Sequence, residues 1–600
     1  MRHLIGLVLL LSLTVGTEAG SLKLGKRYKD ESNGFQIQPP DKWEQVPTKF
    51  QDVAQIGKWV AKRAKRGWTP AKLHVLRFLK APETGEDDTP QDALKRGIPG
   101  YAGVLSHQPK DIWEFVKGAM WGGATVTVDE SEFKMSRKAF KAHLRIYEQK
   151  GGGGGRNAAR MQTVICAAQI ETVEPSDSAY GVAYECTKAD AEDMIPSFRR
   201  SIRRFRILEA DEEDAEEGGP TDADIFVDSE KKPEAWRAAR KAKLIKGWNG
   251  LDTTNYLIVY NKEVKRPLLK KIALHIEAIR SDIYEKLFPP TREVKSISVV
   301  RVCKDRAEYH RYGGPGGSAG YWSPGDEELV FYQDKSNKKD SLRVLYHEAF
   351  HQYIHYAVGK VAPHSWFNEG HGDYFAGHNY RSGKFRSDVF RWRTGIIANA
   401  LSRKTYVPLD KFLKYTQGEY YANPGLCYAQ GWSFVYFLRE VERRKIKKYK
   451  KYYGLLDRYF EAIKRNVKTV KEKAIEGLDE PPDGGGGDGD GGPDGEPDGA
   501  DGMDPLDPEA DAATEEKDEA AEITGLPGLP GLDGPFPGEK PQTGAAPDPN
   551  AKPSESGRTV SGPRISGTKS ALDAAADEVF LKNRGIDIKQ LEKDWIEFSK

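Results

Sequence analysis

Residues 341–372 read SLRVLYHEAFHQYIHYAVGKVAPHSWFNEGHG, and His347-Glu348-Ala349-Phe350-His351 stands inside them. Side chains four apart on a helix share one face, so His347 and His351 can aim ring nitrogens at a single ion. Glu348 lies about 100° further round the helix. Its carboxylate can therefore sit beside a water on that ion, where a general base belongs. Such a five-residue pattern arises by chance in roughly one or two chains of this length per hundred, so the surroundings decide. Leu342, Leu345, Ala349, Tyr353 and Tyr356 supply apolar residues at three- and four-residue steps. With Asp340 as a cap and Gly359 as a stop, the spacing predicts a helix over Ser341–Val358.

A catalytic zinc needs a third protein ligand and an open fourth position. Glu369 follows His351 by 18 residues, at the start of a second predicted helix, and Asp373 lies four further on. In these residues the chain resembles the gluzincin metallopeptidases, where a paired-histidine helix is followed by a helix carrying Glu and then Asp. The resemblance implies that His347, His351 and Glu369 hold Zn²⁺, that Glu348 is the general base, and that Asp373 accepts a hydrogen bond from the outer nitrogen of His347. The metzincin pattern is absent, because it needs Gly and His where the chain has Ile354 and Ala357. His355, His364, His371 and His378 read as ordinary core or surface histidines.

The flanks extend this reading. Thr253–Tyr260 and Ser296–Cys303 look like strands, with Arg266–Leu287 a long helix between them. Glu328–Gln333 is a strand directly before the paired-histidine helix. By the gluzincin resemblance it is the candidate sheet edge that holds an extended peptide, with an ordinary interior strand the equal alternative. Asp410–Gln417 looks helical and leads to Tyr421-Ala422-Asn423-Pro424-Gly425-Leu426-Cys427-Tyr428-Ala429-Gln430-Gly431-Trp432. Gluzincins present a Tyr or His from a downstream helix to the oxyanion; Tyr428 is the candidate here and Tyr421 the alternative. From Thr253 to Trp432 the layout also looks like a group of exported bacterial proteins with a peptidase-like domain.

At 600 residues the chain allows several domains. Residues 1–19 show a short basic start, an apolar run and small residues before Gly20, a secretory signal too short to span a membrane. The expectation is a secreted or periplasmic protein with no transmembrane anchor after cleavage. Net charge of +2 offers no argument for a nucleic-acid partner. Residues 20–208 read as an antiparallel-sheet domain, and its opening phrase (Gly34–Trp43) and closing helix resemble PsbP-like domains. Cys166 and Cys186 fall on two strand-like runs around Glu174–Ser178, and pairing that hairpin about its midpoint predicts a disulfide. Cys303 and Cys427 read as buried thiols.

Residues 209–224 form a like-charged acidic linker, and 225–480 form the gluzincin-like domain. Arg443–Lys451 is a basic run that reads as a solvated helix face. Residues 481–570 are a Gly/Pro/Asp-rich insertion with no expected fold. Residues 571–600 form two amphipathic helices expected to pack back beside Leu455–Ile463. The fold class is thus α+β: a sheet domain, then a mainly helical zincin-like domain with a small sheet. The function expected is a zinc-dependent hydrolase acting on a peptide or protein substrate. A catalytically inactive metal-bearing binding module and an envelope-associated scaffold stay open as alternatives.

Overall fold

In the strand Thr163–Thr172, Val164, Cys166, Ala168 and Ile170 meet Phe198 and Ile202 of helix Lys188–Arg203. Ile165 and Ala167, on the other face, meet Ile112 and Val116 of helix Ile112–Ala119. Successive side chains on a strand point to opposite faces, so a run apolar at every position belongs inside a sheet covered on both sides. The strand is part of a seven-stranded, wholly antiparallel sheet. Its order is Trp43–Gln45, Gln55–Ala61, Lys72–Leu79, Ser178–Thr187, Thr163–Thr172, Phe140–Lys150, Ala124–Glu132.

This computed structural model describes residues 22–62, 70–79, 109–119, 124–150, 162–173, 178–208, 225–336, 338–479 and 568–600. The expected signal segment, the acidic linker 209–224 and nearly all of the insertion lie outside them.

The disulfide expected between Cys166 and Cys186 does not form. The register pairs Cys166 with Tyr184 and Cys186 with Val164. The hairpin turns one residue earlier than its midpoint suggests, and a shift of one in the turn moves the partner by two.

The second sheet has five strands: β1 (Trp248–Asp252), β2 (Tyr256–Asn261), β3 (Ser298–Cys303), β4 (Gly320–Ser323) and β5 (Glu328–Tyr332), in the order β1-β2-β3-β5-β4. The β2, β3 and β5 strands run parallel, and β1 and β4 are antiparallel edges. Every residue of β3 is buried, as expected of a parallel strand covered on both faces. The edge next to the paired-histidine helix is therefore not Glu328–Tyr332, which is the interior strand, the second of the two sequence readings. That edge is β4, four residues that emerge from the Gly-rich loop and lie outside β5. Helix α1 (Arg266–Ile279) connects β2 to β3 and continues through a π-turn, Arg280–Tyr284, to Leu287.

Helix α2 spans Lys338–Val358, so Asp340 lies in its first turn rather than at the cap, and bonds Arg343 Nη1 at 3.1 Å. Gly359 ends it with φ of 96°. There follow α3 (Ser365–Ala376), α4 (Arg391–Arg403), α5 (Gln417–Ala422), α6 (Pro424–Arg443) and α7 (Leu455–Asp479). The helix expected over Asp410–Gln417 is split into Leu409–Phe412 and α5. Thr416 and Glu419 cap α5 reciprocally, which fixes its start. α3 and α6 cross at glycines: a Cβ on Gly370 would lie 2.6 Å from Gly431 O. That close approach seats α3 against α6 and under α2.

The tail helices α8 (Thr568–Ala576) and α9 (Ile588–Ser599) pack on this helical layer. Trp595 is fully buried, and its indole N–H donates to Ser433 Oγ at 3.0 Å. Tyr452 OH donates to Asp594 at 2.6 Å, and Asn466 Nδ2 to Ala571 O at 3.2 Å.

The two sheets share a core. Val46, Phe50 and Val60 of the first pack with Trp248, Val299, Tyr312 and Val330 of the second. Lys49 Nζ lies 3.0 Å from both Tyr321 OH and Asp326 Oδ2. Arg301, wholly buried, bonds Glu328 at 2.5 Å with its guanidinium 5.1 Å from the Phe50 ring centre. No helix among the described residues is long and apolar enough to cross a membrane.

Candidate metal centre

The four-residue step along α2 brings His347 and His351 to one face, and α3 carries Glu369 up to them. His347 Nε2 is 3.1 Å and His351 Nε2 3.3 Å from the same atom, Glu369 Oε2. One donor atom from each of the three residues lies within 4.8 Å of the others. Gly372 makes room for this: a Cβ there would meet the His347 ring at 2.8 Å.

Each ring is held from behind. His347 Nδ1 lies 3.2 Å from Asp373 Oδ1, and Asp373 Oδ2 accepts from Arg393 Nε at 2.6 Å. His351 Nδ1 lies 3.0 Å from Asn368 Oδ1. With an oxygen beside each outer nitrogen, both rings can, once neutral, keep the proton on Nδ1 and offer the Nε2 lone pair to a cation next to Glu369. This is the donor set and tautomer a divalent metal takes from two His and one carboxylate.

The remaining oxygen, Glu369 Oε1, accepts from Tyr421 OH at 2.7 Å. Glu348 is 1% exposed and its Oε1 has no hydrogen-bond partner among the described residues. Edge strand β4 runs past it, a Cβ on Gly320 falling 3.2 Å from Glu348 Cγ, and the Trp322 backbone N–H favours its charged form. The base candidate thus sits between the paired histidines and the sheet edge. Solvent reaches the group from the His351 side, which keeps 10% of its side chain exposed while His347 has none.

Three carboxylates meet here, and the electrostatics register it. Burial disfavours a charged His347, yet Asp373 and Glu369 outweigh burial and push its pKa up to about 10. Burial raises the Glu348 carboxyl, against the pull of the two histidines. The same rings hold Glu369 below the usual carboxylate range in spite of its burial. Without a cation the cluster borrows a proton; a divalent ion is the group that would neutralise it.

Of the residues singled out from sequence, His347, Glu348, His351, Glu369 and Asp373 come together. Tyr428 is fully buried, with its ring 6.2 Å from that of Tyr421 and 5.1 Å from the Arg393 guanidinium. Its hydroxyl makes no hydrogen bond to a ligand residue, whereas Tyr421, the alternative, does. The other histidines serve the fold: His371 and His378 turn Nδ1 to carbonyls one turn back on the chain, and His364 joins Tyr459 to Asp573 of α8. Sequence reasoning missed Asn368, Arg393 and Trp322. Asn368 could have been found, since an acceptor directly before the third ligand comes round on α3 towards the second histidine.

No protein-family model matches the chain, and no curated protein is similar to it in sequence. Among solved structures it is similar to the cyanobacterial PsbP (CyanoP) of Synechocystis sp. PCC 6803, at 14% identity and a TM-score of 0.21 over 33% of this chain and 99% of that one. It is also similar to the Ran-binding protein Mog1p of Saccharomyces cerevisiae, at 10% identity and a TM-score of 0.20 over 32% of this chain and 97% of that one. A third likeness is to LpqN, involved in cell envelope biogenesis of Mycobacterium tuberculosis, at 14% identity and a TM-score of 0.18 over 31% of this chain and 90% of that one.

Proposed function

We propose that the protein is an exported zinc-dependent hydrolase of the gluzincin type that cleaves peptide bonds. The observation that carries this is the convergence of His347 Nε2 and His351 Nε2 on Glu369 Oε2, with Glu348 on the adjoining helix face. His347, His351 and Glu369 would hold the Zn²⁺, which when bound would supply Lewis-acid chemistry, lowering the pKa of water toward ~7 and polarising the scissile carbonyl.

The chain's own residues supply the rest. Glu348, steadied by the Trp322 N–H, takes the proton of the attacking water and delivers it to the leaving amine. The open side of β4 offers backbone groups to an extended substrate, which places a peptide alongside Glu348. A tyrosine hydroxyl stabilises the developing oxyanion. Tyr421 is better placed for this than Tyr428, since its hydroxyl already touches a ligand carboxylate. Asp373, Asn368 and Arg393 hold the two rings in their donor tautomer.

The test is metal analysis of the purified full chain, followed by incubation with a peptide library. About one zinc per chain and cleavage that chelation abolishes support the reading. A metal-free protein, or a zinc-loaded one that cleaves no peptide, refutes it.

A further inference from the structure

The short hairpin Asn379–Arg381 and Lys384–Arg386, with the chain leading into α4, carries an unusual surface. Arg381, Lys384, Arg386 and Arg391 are all exposed, and none of the four has an ion-pair partner among the described residues. The one carboxylate in the stretch, Asp388, is taken by Asn379 Nδ2 and the Val389 N–H. Among the described residues only four large hydrophobics are exposed, and two of them, Val389 at 38% and Trp392 at 42%, fall in the same short run of chain as these cations. The basic run Arg443–Lys451 differs: Arg443 and Arg444 bond Glu440, Lys448 bonds Glu597 and Lys451 bonds Asp594. Unpaired cations around a bare indole mark a surface that awaits an anionic, partly apolar partner.

The chain carries such a partner. From Glu480 to Glu522 there are seventeen carboxylates against one lysine, which leaves the rest of the chain at +18 although the whole is +2. Inside that stretch Asp501-Gly502-Met503-Asp504-Pro505-Leu506-Asp507-Pro508-Glu509-Ala510-Asp511 sets two apolar side chains among five carboxylates. This matches the patch twice over, charge to charge and Met503 and Leu506 to Val389 and Trp392. The segment leaves the end of α7 at Asp479, and the 24 residues from there to Met503 span at most about 80 Å. The tether therefore does not limit which face of the protein the segment reaches.

We propose that the segment Asp501–Asp511 docks on the patch formed by Arg381, Lys384, Arg386, Arg391, Val389 and Trp392. The contact is electrostatic at its rim and apolar at its centre. Being intramolecular, it benefits from a high effective concentration, and salt weakens it.

A carbodiimide joins a carboxylate to a lysine only where the two touch, so it reads this contact in the full chain by mass spectrometry. The expected result is cross-links from Asp501–Asp511 concentrated on Lys384. They should fall several-fold in about 1 M salt, where the screening length is ~3 Å. They should also fall in the triple variant Arg381→Ser, Arg386→Ser, Arg391→Ser. Links spread evenly over surface lysines, centred on Lys445–Lys451, or indifferent to salt overturn the proposal. A second arm leaves the folded residues untouched: Asp501→Asn, Asp504→Asn, Asp507→Asn, Glu509→Gln and Asp511→Asn together should raise the acetylation rate of Lys384 several-fold. An unchanged rate overturns the proposal. So does equal binding of phosphatidylglycerol vesicles with the carboxylates present or replaced, since the patch would then be a membrane surface. None of these readouts uses catalysis, so the outcome is independent of the hydrolase reading.

Discussion

The Tyr421 hydroxyl donates to Glu369 Oε1 at 2.7 Å, so the carboxylate that faces both histidines through one oxygen is anchored through the other. Tyr421→Phe removes that anchor, and the expected loss in zinc affinity is roughly tenfold. Tyr428→Phe, whose hydroxyl touches no ligand residue, should leave affinity within about twofold. Competition against a chromogenic chelator measures both. Equal losses would contradict the geometry.

Asn368→Ala and Asp373→Ala each free one ring to take the other tautomer. Both should weaken metal binding by about 10- to 100-fold. Asp373→Ala should do more harm, because it also takes from the buried Arg393 guanidinium the carboxylate at 2.6 Å. Thermal melting with and without added zinc separates lost affinity from lost fold.

Glu348→Gln keeps the shape of the side chain and removes its basicity. Zinc content should stay near that of the parent, while kcat falls by about 10²- to 10⁴-fold. Undiminished turnover in a zinc-loaded variant would falsify the base assignment.

The tail should be integral to the second sheet's helical layer. Trp595→Ala opens a void under α6 and removes the Ser433 contact, a cost of about 3–5 kcal/mol. Differential scanning calorimetry should show a melting point lower by on the order of 10 °C. Truncation after residue 570 should lower it further, and unchanged melting would mean the tail contributes nothing.

Acid should destabilise the protein through His378. Burial lowers its pKa from the ordinary ~6.5 to about 4. A depressed folded-state value gives stability that is present above pH ~6.5 and lost as pH falls towards 4, on the order of 3 kcal/mol in all. Asp52, which burial and Asp326 push up to about 6, works in the opposite sense. The readout is therefore the difference between parent and His378→Gln in denaturant melts at pH 7 and pH 4.5. The gap between the two proteins should narrow as pH falls.

Long periodic stretches were legible in the sequence. The apolar steps around His347 define α2 to within three residues, because a helix that length buries a face the pattern displays. Glu369, the candidate third ligand, was legible through the gluzincin resemblance that its distance from His351 and from Asp373 carries. The true sheet edge was not: Gly320–Ser323 is too short to show a period and follows a glycine-rich loop, so the longer apolar Glu328–Tyr332 drew the assignment. Tyr421 and Tyr428 lie on two helices meeting at a Pro-containing junction, and one-dimensional spacing cannot say which hydroxyl swings toward Glu369. Arg393 lies 20 residues beyond Asp373, behind a hairpin, where only tertiary packing links them. The cysteine pair failed on a single residue of turn position.

The wedge of Phe50 against Arg301, with Lys49 reaching Tyr321 on the very strand that runs past Glu348, makes the amino-terminal module a buttress of the candidate metal centre rather than a bead on a string. Cutting the chain at the acidic connector would take Phe50 from the buried Arg301 guanidinium, leaving it Trp248 and Tyr312, and would remove the Lys49 contact to the strand beside Glu348. Anyone expressing the carboxy-terminal half by itself should expect a sticky, sluggish fragment whose behaviour says little about the intact molecule.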